Sequence, residues 1–294
     1  MAGRAVDLFD IRPMAGHIGA EVHGIDVLAL DDDEIAALRL LWLDNLILAF
    51  VGQKLLDQGE LASFANRFGS LYRHPLTMTE ASNPVHPLNI PAGGYWHSDV
   101  TFTQEPPAGT FLHARAIPPK GGDTLWANMY LAYESLSSPM RSFLDGLTAV
   151  HDFDHFYRYP MGDSLETDQF VLDAKKKIPL PRHPVVMVHP ETGRKALFVN
   201  ESFTSYIEEL DRAESDTVLD YLYRHSVRPE FTCRHRWSSG DICFWDNRCT
   251  MHYPVDDWGG TIDDHESSPR KMNRVTIGAQ PDTEVTQKLM GPPT

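Results

Sequence analysis

The sequence predicts a mainly β protein, a sandwich or a barrel, with α-helices packed outside the sheets. Short β-rich runs bounded by proline and glycine turns recur along the chain, and they do not alternate with helices as βαβ units do. No internal repeat is visible, and no linker is long or polar enough to require a second domain. Residues 1–294 are therefore expected to form one domain.

The first third of the chain predicts a short hairpin and two helices. The hairpin is expected at the glycine-rich residues 17–27. A helix is expected at 31–44, because three aspartates precede apolar residues at helical spacing and acidic side chains suit a helix N-terminus. A buried strand at 46–51 and an amphipathic helix at 56–68 follow.

The remainder of the chain predicts strands interrupted by helices at 129–147 and 212–225. The predicted strands are the β-rich runs at 110–116, 183–188, 196–199, 230–236, 242–245 and 274–277.

Composition excludes several classes of protein. The formal net charge of −15 is opposite to the cationic surface that nucleic-acid binding requires, so no nucleic-acid partner is expected. No apolar run approaches membrane-spanning length and the N-terminus has no signal-like apolar region, so we expect neither a membrane partner nor secretion. The three cysteines are odd in number and confined to one stretch, which favours free thiols in a reducing cytoplasm.

The residues that suggest chemistry are His97, Asp99 and His252. In a strand, a His-x-Asp triplet places both side chains on one face, where they can bind the same cation. A second imidazole from elsewhere completes a two-histidine, one-carboxylate triad, which suits non-heme Fe(II) and leaves coordination positions open. The triplet alone is weak evidence for a metal site, since roughly one such triplet is expected by chance in a chain of this composition. A second triplet starting at His189, within HPETG, is interpreted as a turn.

Longer motifs carry a resemblance to a known family. The segments WHSDVTF, GGDTLWANMYLAYE and WDNRCTMHY resemble the taurine and chlorophenoxyacetate dioxygenase family of Fe(II)- and 2-oxoglutarate-dependent oxygenases. FGSLYRHP, HPVVMVHPETGRKALFVNESFT and RKMNRVTI extend the resemblance from about Ile18 to Ile277. It implies a double-stranded β-helix (jelly-roll) core, Fe(II) as cofactor, and 2-oxoglutarate and O2 as cosubstrates that yield succinate and CO2.

The resemblance also implies a role for each matching residue. His97, Asp99 and His252 correspond to the iron ligands, and Thr124 and Arg270 to the groups that hold the distal carboxylate of 2-oxoglutarate. Arg270 comes 18 positions after His252, several more than in the family pattern, and the excess at 257–268 is interpreted as a surface loop insertion. With this departure, an exchange of roles between Arg270 and Arg274 stays open.

The substrate pocket departs from that of the taurine enzymes. His74 resembles their sulfonate-binding histidine, Phe203 an aromatic wall, and Arg274 a clamp for the anionic group of the substrate. Phe156 and Tyr157 replace a small polar and an aromatic residue. The sequence therefore predicts a small anionic organic substrate that is bulkier and more apolar than taurine. The alternative is that these aromatic residues belong to the core.

The sequence is also compatible with two other functions. One is desaturation or another oxidative step in a biosynthetic pathway, catalysed by a member of the same family. The other is a non-catalytic jelly-roll protein that senses a small acid. A homo-oligomer, either a dimer or a tetramer, is also expected.

Overall fold

The computed structural model describes residues 8–72, 84–88, 95–152, 180–258 and 269–278. These residues contain five α-helices and fifteen β-strands. The helices are α1 (Asp32–Asn45), α2 (Gln58–Asn66), α3 (Met129–Glu134), α4 (Ser138–Leu144) and α5 (Arg212–Ser226). The strands are β1 (Asp10–Pro13), β2 (Ala20–His23), β3 (Ile47–Phe50), β4 (His86–Leu88), β5 (Gly109–Ala116), β6 (Thr124–Asn128), β7 (Thr148–His151), β8 (Arg182–Pro184), β9 (Val186–Val188), β10 (Lys195–Leu197), β11 (Thr204–Ile207), β12 (Thr232–His235), β13 (Ile242–Asp246), β14 (Thr250–Pro254) and β15 (Lys271–Ile277).

Local signals at the ends of α1 explain where that helix begins and ends. Asp31 accepts a hydrogen bond from the Glu34 amide, and Glu34 accepts one from the Asp31 amide, which together form a capping box. The helix ends at Asn45 and is capped by Leu46, a non-glycine residue with a φ of 67°, whose amide donates to the Trp42 carbonyl. The predicted helix at 31–44 is confirmed, and the following strand begins one residue later than expected.

The strands form one large sheet and three small ones. The large sheet has the order β1-β2-β3-β13-β5-β15-β4, and a three-stranded sheet has the order β12-β6-β14. The other two sheets are β11-β7-β8 and β10-β9. Every described strand pairing is antiparallel except that of β2 with β3.

Alternation along β13 shows how the large sheet separates two layers of the core. Trp245 packs inward against Trp126 of the three-stranded sheet, with 5.6 Å between ring centroids. Phe244 points the other way and stacks on Trp42 of α1 at 4.2 Å. Because side chains alternate with period two, one strand supplies both layers. The predicted mainly β jelly roll with flanking helices is confirmed.

The strand expected at 183–188 is divided into β8 and β9, and two further predicted elements differ from the structure. The helix expected at 129–147 is two helices, α3 and α4, because Ser137 caps a new N-terminus by accepting from the Met140 amide. The hairpin expected at 17–27 pairs β1 with β2, and Gly19 lies in the connecting turn. Both predictions identified the element type and misplaced a boundary.

Candidate active site

The backbones of His97 and His252 hold their imidazoles side by side. The His97 amide donates to the His252 carbonyl at 3.0 Å, and the His252 amide donates to the His97 carbonyl at 2.7 Å. Residues that exchange both hydrogen bonds lie directly opposite each other, so their side chains leave the same face. The two ring centroids are 4.1 Å apart.

Asp99 reaches the two imidazoles through a turn, which corrects the expectation that His-x-Asp lies in a strand. His97 forms an isolated bridge, and the chain turns at Asp99 and at Val100, whose φ is 56°. Ser98 fixes the start of this turn by donating to a carbonyl of β14 at 2.7 Å. As a result, Asp99 Oδ1 lies 4.0 Å from His97 Nε2 and 3.9 Å from His252 Nε2.

The protonation states of this cluster suit metal binding. His97 Nδ1 donates to the Tyr95 carbonyl at 3.0 Å, since a carbonyl only accepts, and the neutral ring then presents a lone pair at Nε2. Burial lowers the pKa of His97 and lowers that of His252 to about 3. Burial raises the pKa of Asp99, but the histidine pair and Arg274 outweigh it and hold that pKa at about 2. At neutral pH the cluster therefore has two neutral imidazoles and one carboxylate.

The residues present fit a six-coordinate divalent cation. One ligand atom from each of His97, Asp99 and His252 lies within 4.8 Å of the others. Metal bonds of about 2.1 Å hold adjacent donors of an octahedral cation about 3 Å apart, and Asp99 Oδ1 lies 4.0 Å and 3.9 Å from the two imidazole nitrogens. Two imidazoles and one carboxylate are the donor set that suits Fe(II) with open positions.

Thr124 begins β6 and is 1% exposed. Its Oγ1 accepts a hydrogen bond from Trp237 Nε1 at 3.0 Å. Because an indole N–H only donates, the hydroxyl keeps its own hydrogen for another acceptor. Thr124 can therefore donate to an anion.

Arg270 places a buried guanidinium close to the start of β6. It is 4% exposed, and burial lowers its pKa to about 10, so it is a cation at neutral pH. Its Nε donates to the Gly122 carbonyl at 3.0 Å, and its Cζ lies 5.9 Å from the ring centroid of Trp258. A guanidinium next to a hydroxyl donor can bind a carboxylate through two N–H groups and one O–H. Because Arg270 contacts Gly122, two residues before Thr124 in the chain, the guanidinium and the hydroxyl are a candidate pair for binding an anion.

The first residues of the segment 257–268 contact this site while staying at least partly exposed, so they are compatible with the predicted surface loop. Asp257 accepts from the Gly122 amide at 2.8 Å, and its other oxygen lies 3.4 Å from Arg234. Trp258 contacts the Arg270 guanidinium. Sequence reasoning missed these contacts because length and polarity alone do not show where a loop begins. The rest of the segment lies outside the described residues.

Gly122 is a position where a side chain is expected to disturb Arg270. Its φ is 76°, and a Cβ there would lie 3.2 Å from Arg270 Cδ and 3.3 Å from the Trp258 ring. We expect Gly122→Ala to raise the KM for 2-oxoglutarate about tenfold by displacing the guanidinium. Steady-state kinetics at varied 2-oxoglutarate measures this.

Gly146→Ala is the matched control for Gly122→Ala. Gly146 has a φ of 91°, and a Cβ there would meet nothing within 4 Å. The control therefore adds backbone strain with no contact near the site. Equal KM values for 2-oxoglutarate in the two variants would contradict the prediction.

A cation and an aromatic pair border the histidine–aspartate cluster on two sides. Arg274 of β15 places Nη1 3.5 Å from Asp99 Oδ1. Phe203 is buried and meets the His97 ring edge-on, with 6.3 Å between centroids. Phe102 packs against Phe203 at 5.1 Å. Together these side chains offer one charged and one apolar surface beside the same cluster.

A second group of potential metal ligands is a structural network. His189, Asp246 and Cys249 lie close together and are buried. Both oxygens of Asp246 bind Arg248, at 2.8 and 2.6 Å, and one also accepts from His189 at 3.0 Å. His189 Nδ1 accepts from the Glu191 amide, which confirms the turn predicted at HPETG. With these groups engaged, the network offers no carboxylate for a cation.

The other predicted substrate residues, His74, Phe156 and Tyr157, lie outside the described residues. Sequence reasoning missed Trp237, which fixes Thr124, and Thr110, which donates to Asp99 Oδ2 at 2.6 Å. Neither residue stands in a motif with the partner that it contacts, so no local signal marks it.

Comparison with known proteins gives a consistent picture. Residues 10–276 match the family described as taurine catabolism dioxygenase TauD, TfdA family. An alkylsulfatase of Acinetobacter baylyi is 35% identical over 280 residues, covering 92% of this chain and 85% of that protein. The alpha-ketoglutarate-dependent sulfate ester dioxygenase of Pseudomonas putida is 34% identical over 286 residues, covering 95% of this chain and 92% of that protein. The crystal structure of a taurine dioxygenase from Burkholderia xenovorans matches with a TM-score of 0.77 and 34% sequence identity. The match covers 92% of this chain and 90% of that one.

The jelly-roll fold and these relatives define an Fe(II)- and 2-oxoglutarate-dependent dioxygenase. The chain belongs to the TauD, TfdA family, as the resemblance predicted. Its cofactor is Fe(II), its cosubstrates are 2-oxoglutarate and O2, and it acts on a small organic substrate. In the part of the chain that the structure describes, no helix combines the length and apolarity needed to span a membrane.

Proposed function

We propose that this dioxygenase hydroxylates a small organic anion whose body is bulkier and more apolar than that of taurine. The proposal rests on one observation: a cation, Arg274, and the aromatic ring of Phe203 both lie beside the histidine–aspartate cluster. The names of the relatives from Acinetobacter baylyi and Pseudomonas putida favour an organic sulfate as the first substrate class to test.

In this proposal His97, Asp99 and His252 hold Fe(II). The bound iron, with 2-oxoglutarate and O2, supplies the oxidising power for hydroxylation and releases succinate and CO2. The chain contributes neutral imidazoles, an ionised carboxylate and a buried setting for all three.

Arg270 and Thr124 hold the distal carboxylate of 2-oxoglutarate in this proposal. Arg270 supplies a charge-assisted pair of N–H donors and Thr124 a hydroxyl donor. Holding the distal end orients the oxo-acid end toward the histidine–aspartate cluster. The contact of Arg270 with Gly122, two residues before Thr124, supports this order of roles over the exchange with Arg274.

Arg274 binds the anionic head of the substrate, and Phe203 lines the space for its body. The Arg274 side chain is 18% exposed, so an uncharged substrate would leave a largely buried cation without a new partner. An anion supplies that partner, while the ring of Phe203 contacts apolar carbon. His74, Phe156 and Tyr157 keep the substrate-binding roles that the sequence suggests for them.

A matched substrate panel tests the proposal. Linear alkyl sulfates, alkanesulfonates, taurine and the uncharged alcohol of equal chain length are each incubated with enzyme, and succinate is measured. We expect kcat/KM for the preferred alkyl sulfate or alkanesulfonate to exceed that for taurine about tenfold or more, with no turnover of the alcohol. Hydroxylation of the carbon that bears the sulfate oxygen gives an unstable adduct that breaks into an aldehyde and sulfate. Efficient taurine turnover, or a preferred uncharged substrate, would refute the proposal.

A further inference from the structure

A directed series of hydrogen bonds ends at Asp99 Oδ2. Thr110 Oγ1 donates to this oxygen at 2.6 Å, and Asn247 Nδ2 donates to Thr110 Oγ1 at 2.9 Å. Trp245 Nε1 donates to Asn247 Oδ1 at 2.9 Å. Thr110, Asn247 and Trp245 are each at most 2% exposed, so water does not compete for these groups.

The donor and acceptor atoms of Trp245, Asn247 and Thr110 fix which group donates in each hydrogen bond of the series. The indole N–H of Trp245 can only donate, so it requires the amide oxygen of Asn247 to face it. The NH2 group of Asn247 then faces Thr110, and the single hydroxyl hydrogen of Thr110 is directed to Asp99. The Asp99 amide also donates to Asn247 Oδ1, at 3.4 Å, which ties the turn to the same side chain.

The other oxygen of Asp99 faces the two imidazoles. Oδ1 lies 4.0 Å from His97 Nε2 and 3.9 Å from His252 Nε2. A carboxylate can bind a cation through one oxygen or two, and binding through two would occupy one more coordination position. The cosubstrates need that position, since the family chemistry requires three open positions.

We infer that Trp245, Asn247 and Thr110 are positioning residues that engage Oδ2 and present Oδ1 alone to the metal. The inference rests on the proposed function, because it takes Asp99 as a ligand. The proposed chemistry gives these hydrogen bonds no other role.

Co(II) binding to the metal-free full-length protein tests the inference without turnover. Affinity is measured by competition with a fluorescent chelator, and coordination by the visible absorption of Co(II). We expect Thr110→Val to weaken Co(II) binding about tenfold and to change the visible spectrum, because Oδ2 is released. Thr110→Ser keeps the donor and is expected to bind like the parent protein.

Thr276→Val is the matched control. Thr276 lies directly opposite Thr110 on the neighbouring strand β15 and is 9% exposed. The same substitution there removes a hydroxyl that makes no described contact with Asp99. Its Co(II) affinity and spectrum are expected to match those of the parent protein.

A double-mutant cycle separates positioning from general stability. If Asn247 acts through Thr110, Asn247→Ala weakens Co(II) binding in the parent and adds nothing in the Thr110→Val background. Additive losses would contradict that part of the inference. Thermal unfolding of each metal-free variant checks the fold, and Asn247→Ala carries the test if Thr110→Val does not fold.

Asp99→Ala distinguishes this inference from the proposed function. Unchanged Co(II) binding by Asp99→Ala would overturn the assignment of Asp99 as a ligand. Loss of binding in Asp99→Ala, with affinity and spectrum unchanged in both Thr110→Val and Asn247→Ala, would overturn only the positioning role.

Discussion

Alanine at His97, Asp99 or His252, introduced one at a time, is expected to abolish turnover while the protein stays folded. Substitutions beside a metal ligand commonly cost about 10–100-fold, so losing one of three ligands is expected to cost more than about a hundredfold. The measurement is succinate formation with the preferred substrate. Anaerobic addition of Fe(II) and 2-oxoglutarate gives a second readout, since each variant should lose the visible charge-transfer band.

His23→Ala is the control for the metal-ligand variants. His23 lies on β2, partly exposed and 2.8 Å from Glu21, and pairs with no residue of the candidate site. It is expected to keep both turnover and the charge-transfer band. Near-normal activity in any one of the three ligand variants would remove that residue from the ligand set.

Arg270→Ala is expected to raise the 2-oxoglutarate requirement by about one to two decades. Loss of a charge-assisted contact costs roughly 1.5–3 kcal/mol, which is about a ten- to hundredfold loss of affinity. Of the two residues proposed to hold the distal carboxylate, Thr124 then remains. Arg270→Lys keeps the charge without the planar fork and is expected to recover only part of the affinity.

Arg274→Ala is the reciprocal variant for Arg270→Ala. It is expected to raise the KM for the primary substrate and to leave the KM for 2-oxoglutarate unchanged, because Arg274 lies beside Asp99, whereas Arg270 is the arginine that donates to Gly122. The reverse pattern, with Arg270→Ala weakening only the primary substrate, would show that the two arginines exchange roles.

Short-range features of the fold were predictable from the sequence. Each capping box joins residues three positions apart, as at Asp31 with Glu34 and Asp211 with Glu214, so a short window contains the whole signal. The β-rich composition of a strand is equally local, which is why β5, β13 and β15 were identified as short β-rich runs. The predicted boundaries were wrong where a single side chain, such as that of Ser137, starts a new helix.

The metal cluster was predictable in its residue types but not in its geometry. His97, Asp99 and His252 were identified from motif order, yet the strand expected at Asp99 is a turn. The exchange of hydrogen bonds between His97 and His252 depends on how β14 lies beside the segment before that turn. Strand register of this kind is set by packing across the whole sheet.

The amino-acid sequence alone predicted a mainly β fold from its short β-rich runs. Its ordered motifs carried the family resemblance, which implied the jelly-roll core, the cosubstrates and the residue types of the site. Only the tertiary structure showed that Arg270 donates to Gly122 and that Arg274 lies 3.5 Å from Asp99. It also revealed contacts between positions 113 residues apart, at Trp237 and Thr124, and 137 apart, at Asn247 and Thr110. Hydrogen bonds between residues so distant in sequence form only when the sheets pack, so no local pattern encodes them.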